Sequence, residues 1–264
     1  MDLQLNGKFA VITGGSSGIG LAVAKELAKE GANVAIIART KSKLEEEAEK
    51  IRESYQVKAL PIRADLTEKE DILHVASTLK EETDGIDILI NNAGTGSEED
   101  ITDAADEKWQ YFWDLHVMAT VRMSRVLVPL MKQKDEGVIL NTASICAKQP
   151  LGYEPIYNTT KAALTMLSKN LANELVEDGI RVNAISPGLV LTSDWKNTAS
   201  NLTEGKDITE EEYFAQIAEE KTPLGRFAQP EEVAHLYAFL CSPLASYCLG
   251  SNYYIDGGWL NTTI

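Results

Sequence analysis

The residues Phe9-Ala10-Val11-Ile12-Thr13-Gly14-Gly15-Ser16-Ser17-Gly18-Ile19-Gly20 carry an apolar run straight into a glycine-rich turn. Beyond the turn, Ile19, Val23 and Leu27 recur at four-residue spacing, the period of an amphipathic helix reaching to position 29. Strand, turn and helix in that order build a cradle for a phosphate-bearing ligand. Gly14 permits the tight turn, Gly18 lets the backbone approach a pyrophosphate, and Gly20 lets the helix pack closely on the sheet. Ser16, Ser17 and Ile19 complete the cradle, where the helix presents free N–H groups and its positive dipole end to the anion.

The same alternation repeats along the chain. Strand-like runs fall at 9–13, 34–37, 58–62, 86–90, 138–141, 181–185 and 253–255. Helical patterns fall between them at 19–29, 42–53, 68–82, 107–132, 155–177 and 231–240. Apolar strands joined by helices imply a parallel sheet with right-handed crossovers. The expectation is an α/β fold: a single doubly wound Rossmann-type domain over 1–264, with a seven-stranded parallel sheet and helices on both faces. No Pro/Gly/Ser-rich linker, fixed-period repeat or low-complexity tract divides it. One segment departs from the pattern. Positions 189–226 are polar, periodic only around 210–220, and long for a connection, which reads as a substrate loop or lid over the carboxyl edge of the sheet.

Composition limits the partners. The chain has 264 residues, with 25 Lys+Arg against 40 Asp+Glu, a formal charge of −15. Such a surface repels nucleic acid and anionic lipid, and no basic run offsets it. No apolar stretch approaches the ~18–20 residues that span a bilayer. The start, through Thr13, lacks the pattern of a secretory signal, so the expected location is the cytoplasm. Three cysteines without CxxC spacing, and His74, His116 and His235 far apart, form no disulfide framework and no metal motif.

Chemistry-bearing residues gather at the strand ends. Asp65-Leu66 follows the third strand, and Asn91-Asn92-Ala93-Gly94 the fourth; turn chemistry alone would also account for both. Tyr157 and Lys161 stand four apart at the start of a helix and share a face. A free phenol titrates near about 10, and a neighbouring ammonium is expected to lower that value. Ser144, past the fifth strand, can hydrogen-bond a carbonyl oxygen that is becoming an alkoxide.

Together these motifs resemble the short-chain dehydrogenase/reductase family over essentially the full length. The match lies in Thr13-Gly-x-x-x-Gly-x-Gly20, Asn91-Asn-Ala-Gly94, Ser144 thirteen residues before Tyr157, Tyr157-x-x-x-Lys161, Pro187-Gly188 and Ile255-Asp-Gly-Gly258. The resemblance implies Tyr157 as general acid/base, Ser144 orienting the substrate carbonyl, and Lys161 binding the nicotinamide ribose. It implies Asp65 and Leu66 near adenine, Asn91, Ala93 and Gly94 near the adenosine ribose, and Pro187, Gly188, Val190 and Thr192 along the nicotinamide. It also implies a homotetramer, or a homodimer. The family's usual catalytic Asn is replaced, on this alignment, by His116; the imidazole is either a core histidine or a substitute in the proton relay.

At the end of the second strand, where NAD-preferring members carry a carboxylate, Ala38 is followed by Arg39, which can pair with a 2′-phosphate. The expected cofactor is NADP(H), with NAD(H) the second choice. The expected reaction moves a hydride between nicotinamide and a small-molecule ketone or secondary alcohol. A 3-oxoacyl thioester reductase and a non-catalytic NADP(H)-binding sensor are the alternatives.

Overall fold

The computed structural model describes residues 1–262. Seven strands form one parallel sheet: β1 Phe9–Thr13, β2 Asn33–Ala38, β3 Ala59–Arg63, β4 Ile88–Asn91, β5 Gly137–Thr142, β6 Ile180–Pro187 and β7 Asn252–Ile255. Their order is β3-β2-β1-β4-β5-β6-β7, so the direction of travel reverses between β1 and β4. That switch point opens a crevice outside the carboxyl ends of the strands, where such sheets bind ligands.

Side-chain alternation explains why both faces are covered. In β1, Ala10 and Ile12 enter one core, while Phe9 and Val11 enter the other. In β2, Val34 and Ile36 follow the first face, and Ala35 and Ile37 the second. Strands with two apolar faces need a helix layer on each. The first face is closed by α1 Gly18–Lys29, α2 Lys41–Tyr55 and α9 Pro230–Cys241; the second by α3 Lys69–Glu82, α5 Ala119–Met131 and α6 Pro155–Leu175.

Two features differ from the sequence expectation. The helix expected over 107–132 is broken in character: α4 Asp106–Trp113 passes through a π-helical segment, Asp114–Met118, before α5 begins. His116 lies inside that wider turn, a placement typical of functional sites. The 189–226 segment is also more ordered than its composition implies. It folds into α7 Ser193–Thr203 and α8 Glu210–Lys221, the latter started by a Thr209/Glu212 capping box. Trp195 and Phe214 both pack edge-on against Phe227, which joins these helices to a third apolar cluster containing Ile145, Cys146, Leu189 and Trp259. Among the described residues no helix is long and apolar enough to cross a membrane.

Candidate active site

The Gly turn has the backbone that its sequence demands. Gly14 and Gly18 have φ of +66° and +53°, a region that favours glycine. A Cβ on Gly20 would stand 2.3 Å from the Gly14 carbonyl oxygen, and one on Gly14 would stand 2.8 Å from Asn92 Nδ2. Ser17 starts α1 in an extended conformation and makes no side-chain cap bond, so the helix N–H groups are not capped from within. Thr192 closes the turn from above: its methyl carbon lies 3.3 Å from where a Gly18 Cβ would be. A pyrophosphate fits such a cradle.

Asn92, a motif residue given no role by the sequence, holds the cradle's floor. Its Nδ2 donates to Thr13 O at 3.1 Å, its backbone N–H donates to Thr13 Oγ1 at 2.8 Å, and its Oδ1 accepts from Thr142 Oγ1 at 3.2 Å. One side chain thus links the ends of β1, β4 and β5. Asn91 turns its side chain inward. Its Nδ2 donates to Asn141 Oδ1 at 2.9 Å inside the molecule, which leaves only its backbone for the groove. Ala93 N–H is likewise taken by Thr13 Oγ1, at 3.0 Å.

Asp65 caps its own turn, accepting from Thr67 N–H at 3.0 Å and Thr67 Oγ1 at 2.7 Å. Partial burial alone would raise its carboxyl, but the Thr67 hydrogen bonds and the charges of Arg39 and Arg63 hold it below the ordinary value. Leu66 beside it is buried. Arg39 is exposed after β2 and makes no hydrogen bond or ion pair among the described residues. Pro187 ends β6, and Gly188 packs so closely on Asp256 that a Cβ would stand 2.8 Å from its Cα. Val190 is buried and bridges to Ala228, which fixes the root of α7 beside the groove.

Ser144, Tyr157 and Lys161 converge past the end of β5. Ser144 is buried, its Oγ accepting Cys146 N–H at 3.2 Å. Lys161 Nζ is also buried, donates to Thr142 O at 2.7 Å, and lies 5.3 Å from the centre of the Tyr157 ring. His116 meets that ring edge-on, centroid to centroid 5.5 Å. A Cβ on Gly94 would sit 3.0 Å from His116 Nε2 and 3.5 Å from Lys161 Nζ, so glycine there lets the imidazole and ammonium come together.

The protonation states follow from burial. Desolvation pushes the Tyr157 phenol above its ordinary value, reinforced by Cys146 and opposed by a hydrogen bond from Ser144. The packed surroundings thus raise the phenol, where the spacing from Lys161 led to an expected lowering. Desolvation also brings Lys161 down to about 8. His116 is driven well below the ordinary imidazole value, chiefly by burial and then by Lys161.

Residues that the sequence did not single out set the start of α6. Glu99 Oε1 accepts Ile156 N–H at 3.0 Å and Ser97 Oγ–H at 3.0 Å, while Ser97 Oγ accepts Tyr157 N–H at 3.2 Å. Lys108 pairs with Glu99 Oε2 at 3.1 Å. The first-turn donors of the helix that carries Tyr157 are thus satisfied from the loop after β4.

Residues 14–260 match the family described as enoyl-(acyl carrier protein) reductase. The crystal structure of L-sorbose reductase from Gluconobacter frateurii, complexed with NADPH and L-sorbose, is similar at a TM-score of 0.98 and 51% identity, covering 99% of this chain and 100% of that one. The 3-oxoacyl-(acyl-carrier-protein) reductase of Aquifex aeolicus is 33% identical over 98% of this chain and 99% of its own. The D-beta-hydroxybutyrate dehydrogenase of Cupriavidus necator is 32% identical over 97% and 99%.

Proposed function

The chain belongs to the short-chain dehydrogenase/reductase family, and from that premise we propose that it is an NADP(H)-dependent oxidoreductase interconverting a small neutral ketone, of the ketose class, and its secondary alcohol. The convergence of the Tyr157 phenol, the Ser144 hydroxyl and the Lys161 ammonium beside the Gly14–Gly20 cradle carries this reading.

NADPH, when bound, supplies the hydride. The protein's own part is the other half of the reaction. Ser144 donates a hydrogen bond to the carbonyl oxygen and gains strength as negative charge builds there. Tyr157, protonated because its surroundings disfavour phenolate, gives its proton to that oxygen. Lys161, largely an ammonium at neutral pH, stabilises the phenolate left behind. In oxidation each transfer reverses. His116, against both Tyr157 and Lys161, is placed to pass protons between this pair and the outside. Arg39 would hold the 2′-phosphate of the cofactor. Helices α7 and α8 serve as the lid.

Two observations favour a ketose over a 3-oxoacyl thioester, the alternative that the Aquifex relative keeps open. The L-sorbose reductase similarity is the stronger over the whole chain. Glu154 and Asp194 also lie close enough to Tyr157 to raise its phenol, and carboxylates there disfavour an anionic acyl carrier. Exposed apolar residues such as Trp113, Met166, Leu244 and Tyr247 support the homotetramer reading. The test is consumption of NADPH and NADH with a panel of ketoses, simple ketones and 3-oxoacyl thioesters. Ketose turnover with NADPH supports the proposal; thioester turnover alone replaces it, and NADPH binding without turnover favours a sensor.

A further inference from the structure

Glu154 stands immediately before α6, one turn ahead of Tyr157, and its carbonyl takes the Asn158 N–H at 2.9 Å. Glu154 is not itself helical, but its carboxylate lies near enough to Tyr157 for its charge to act on the phenol. Its carboxylate reaches across to the loop leaving β4, where Oε1 lies 2.7 Å from the place a Gly96 Cβ would occupy. Any side chain at 96 would displace it.

Two glutamates thus meet the start of α6 with different employment. Glu99 has its oxygens committed to Ile156, Ser97 and Lys108. Glu154 is only partly exposed, yet its carboxylate makes no hydrogen bond or ion pair among the described residues. Burial, followed by Glu99 and Glu98, raises it to about 7. Its oxygens are not sealed from solvent, so they are open to a ligand's donors. What it lacks is internal hydrogen-bond donors, and it lies close enough to Tyr157 for its charge to raise the phenol.

We infer that Glu154 determines substrate specificity, its carboxylate accepting hydroxyl hydrogens of a polyhydroxylated ketone whose carbonyl lies against Ser144 and Tyr157. This rests on the ketone-reductase reading above and names the group that would select within it. A carboxylate is acceptor-only when ionised, and hydroxyl-to-carboxylate bonds are charge-assisted. A ketose brings several hydroxyls next to its carbonyl. A hydroxyl-free ketone brings none, and an anionic substrate meets repulsion instead. Gly96 keeps the space between the two loops open for the carboxylate.

The experiment compares the wild-type protein with Glu154→Gln and Glu154→Leu, using L-sorbose and cyclohexanone as probes with NADPH. NADPH titration and thermal unfolding establish that each variant is folded; Glu154→Gln, of the same size, serves if the leucine does not fold. The expected result is a drop of about ten- to a hundredfold in the ratio of kcat/KM for L-sorbose to that for cyclohexanone. The drop should lie in the KM for L-sorbose and be larger for leucine than for glutamine. An unchanged ratio in a wild-type protein that reduces L-sorbose overturns the role of Glu154 alone. A wild-type protein that reduces neither ketone overturns the catalytic reading and this inference with it.

Discussion

His116 and Thr160 lock each other's hydrogen bonds: His116 Nδ1 lies 2.8 Å from Thr160 Oγ1, and that hydroxyl donates onward to the Tyr157 carbonyl at 2.9 Å. On the far side of the ring, Nε2 accepts the Thr95 N–H at 3.4 Å. A backbone N–H can only donate, so Nε2 must carry the lone pair and Nδ1 the proton. The imidazole is therefore neutral and of one tautomer, with its acceptor nitrogen on the side shared by Gly94 and Lys161.

Holding this ring neutral makes stability pH-dependent. In the unfolded chain the imidazole takes up a proton below about 6.5, whereas in the fold its value is lowered and it does not. The unfolded state then binds more protons as pH falls, and stability falls with it. Replacing His116 with Asn should flatten the loss of denaturation free energy between about pH 6.5 and 5. An equal acid slope in wild type and variant would show that the ring protonates within the fold. For the relay, the measurement is the rate of His116→Ala across neutral and alkaline pH; a rate equal to wild type throughout excludes it.

Arg39 should decide between cofactors. It is exposed, makes no hydrogen bond or ion pair among the described residues, and stands just past β2 at the same sheet edge as the Gly turn. A guanidinium–phosphate contact contributes about 1.5–3 kcal/mol, roughly ten- to a hundredfold in preference. Arg39→Asp should shift the ratio of kcat/KM for NADPH to that for NADH towards NADH by at least that factor. A ratio unmoved by the substitution would take Arg39 out of the cofactor site.

Glu99 should matter to rate as well as to stability. Its carboxylate holds the Ile156 N–H, and through Ser97 it holds the Tyr157 N–H, so the first turn of α6 is oriented from outside the helix. Glu99→Ala should lower stability by about 1–2 kcal/mol, as loss of a helix cap does. It should also lower kcat more than it raises KM, because the phenol is displaced from the carbonyl. Glu99→Gln keeps an acceptor oxygen and should restore much of both. Denaturant unfolding alongside steady-state kinetics tests this; a variant with reduced stability and intact kcat would confine Glu99 to scaffolding.

What the sequence made legible was whatever a local period or a short motif encodes. β1 could be read because Phe9–Thr13 is apolar on both faces, and Tyr157 and Lys161 because four residues make one helical turn. α7 could not, since Ala199 is its one buried residue and the remainder is polar, leaving no apolar stripe to detect. The π segment at Asp114–Met118 leaves too little trace in a pattern that stays helical on either side. The α6 cap joins positions 57 and 60 residues apart, a pairing that no local pattern contains. The phenol's raised value came from desolvation, which depends on the packed environment and is not written in spacing.

That reversal leads to a pH dependence for the reaction. Tyr157 stays protonated through neutral and mildly alkaline pH, so its own proton does not limit reduction there. Lys161, brought down to about 8, changes charge within the accessible range. Below that value its ammonium supports the phenolate that forms as the proton leaves; above it the support is withdrawn. The rate of ketone reduction should therefore hold below about pH 8 and decline above it. Lys161→Met, which keeps the stem and removes the charge, should be slow throughout and lack that step. Tyr157→Phe should lose roughly 10²–10⁴-fold at every pH, since it deletes the donor itself. A wild-type profile that stays flat well above pH 8, with Lys161→Met showing the same shape, would mean that the lysine's charge takes no part in the proton transfer.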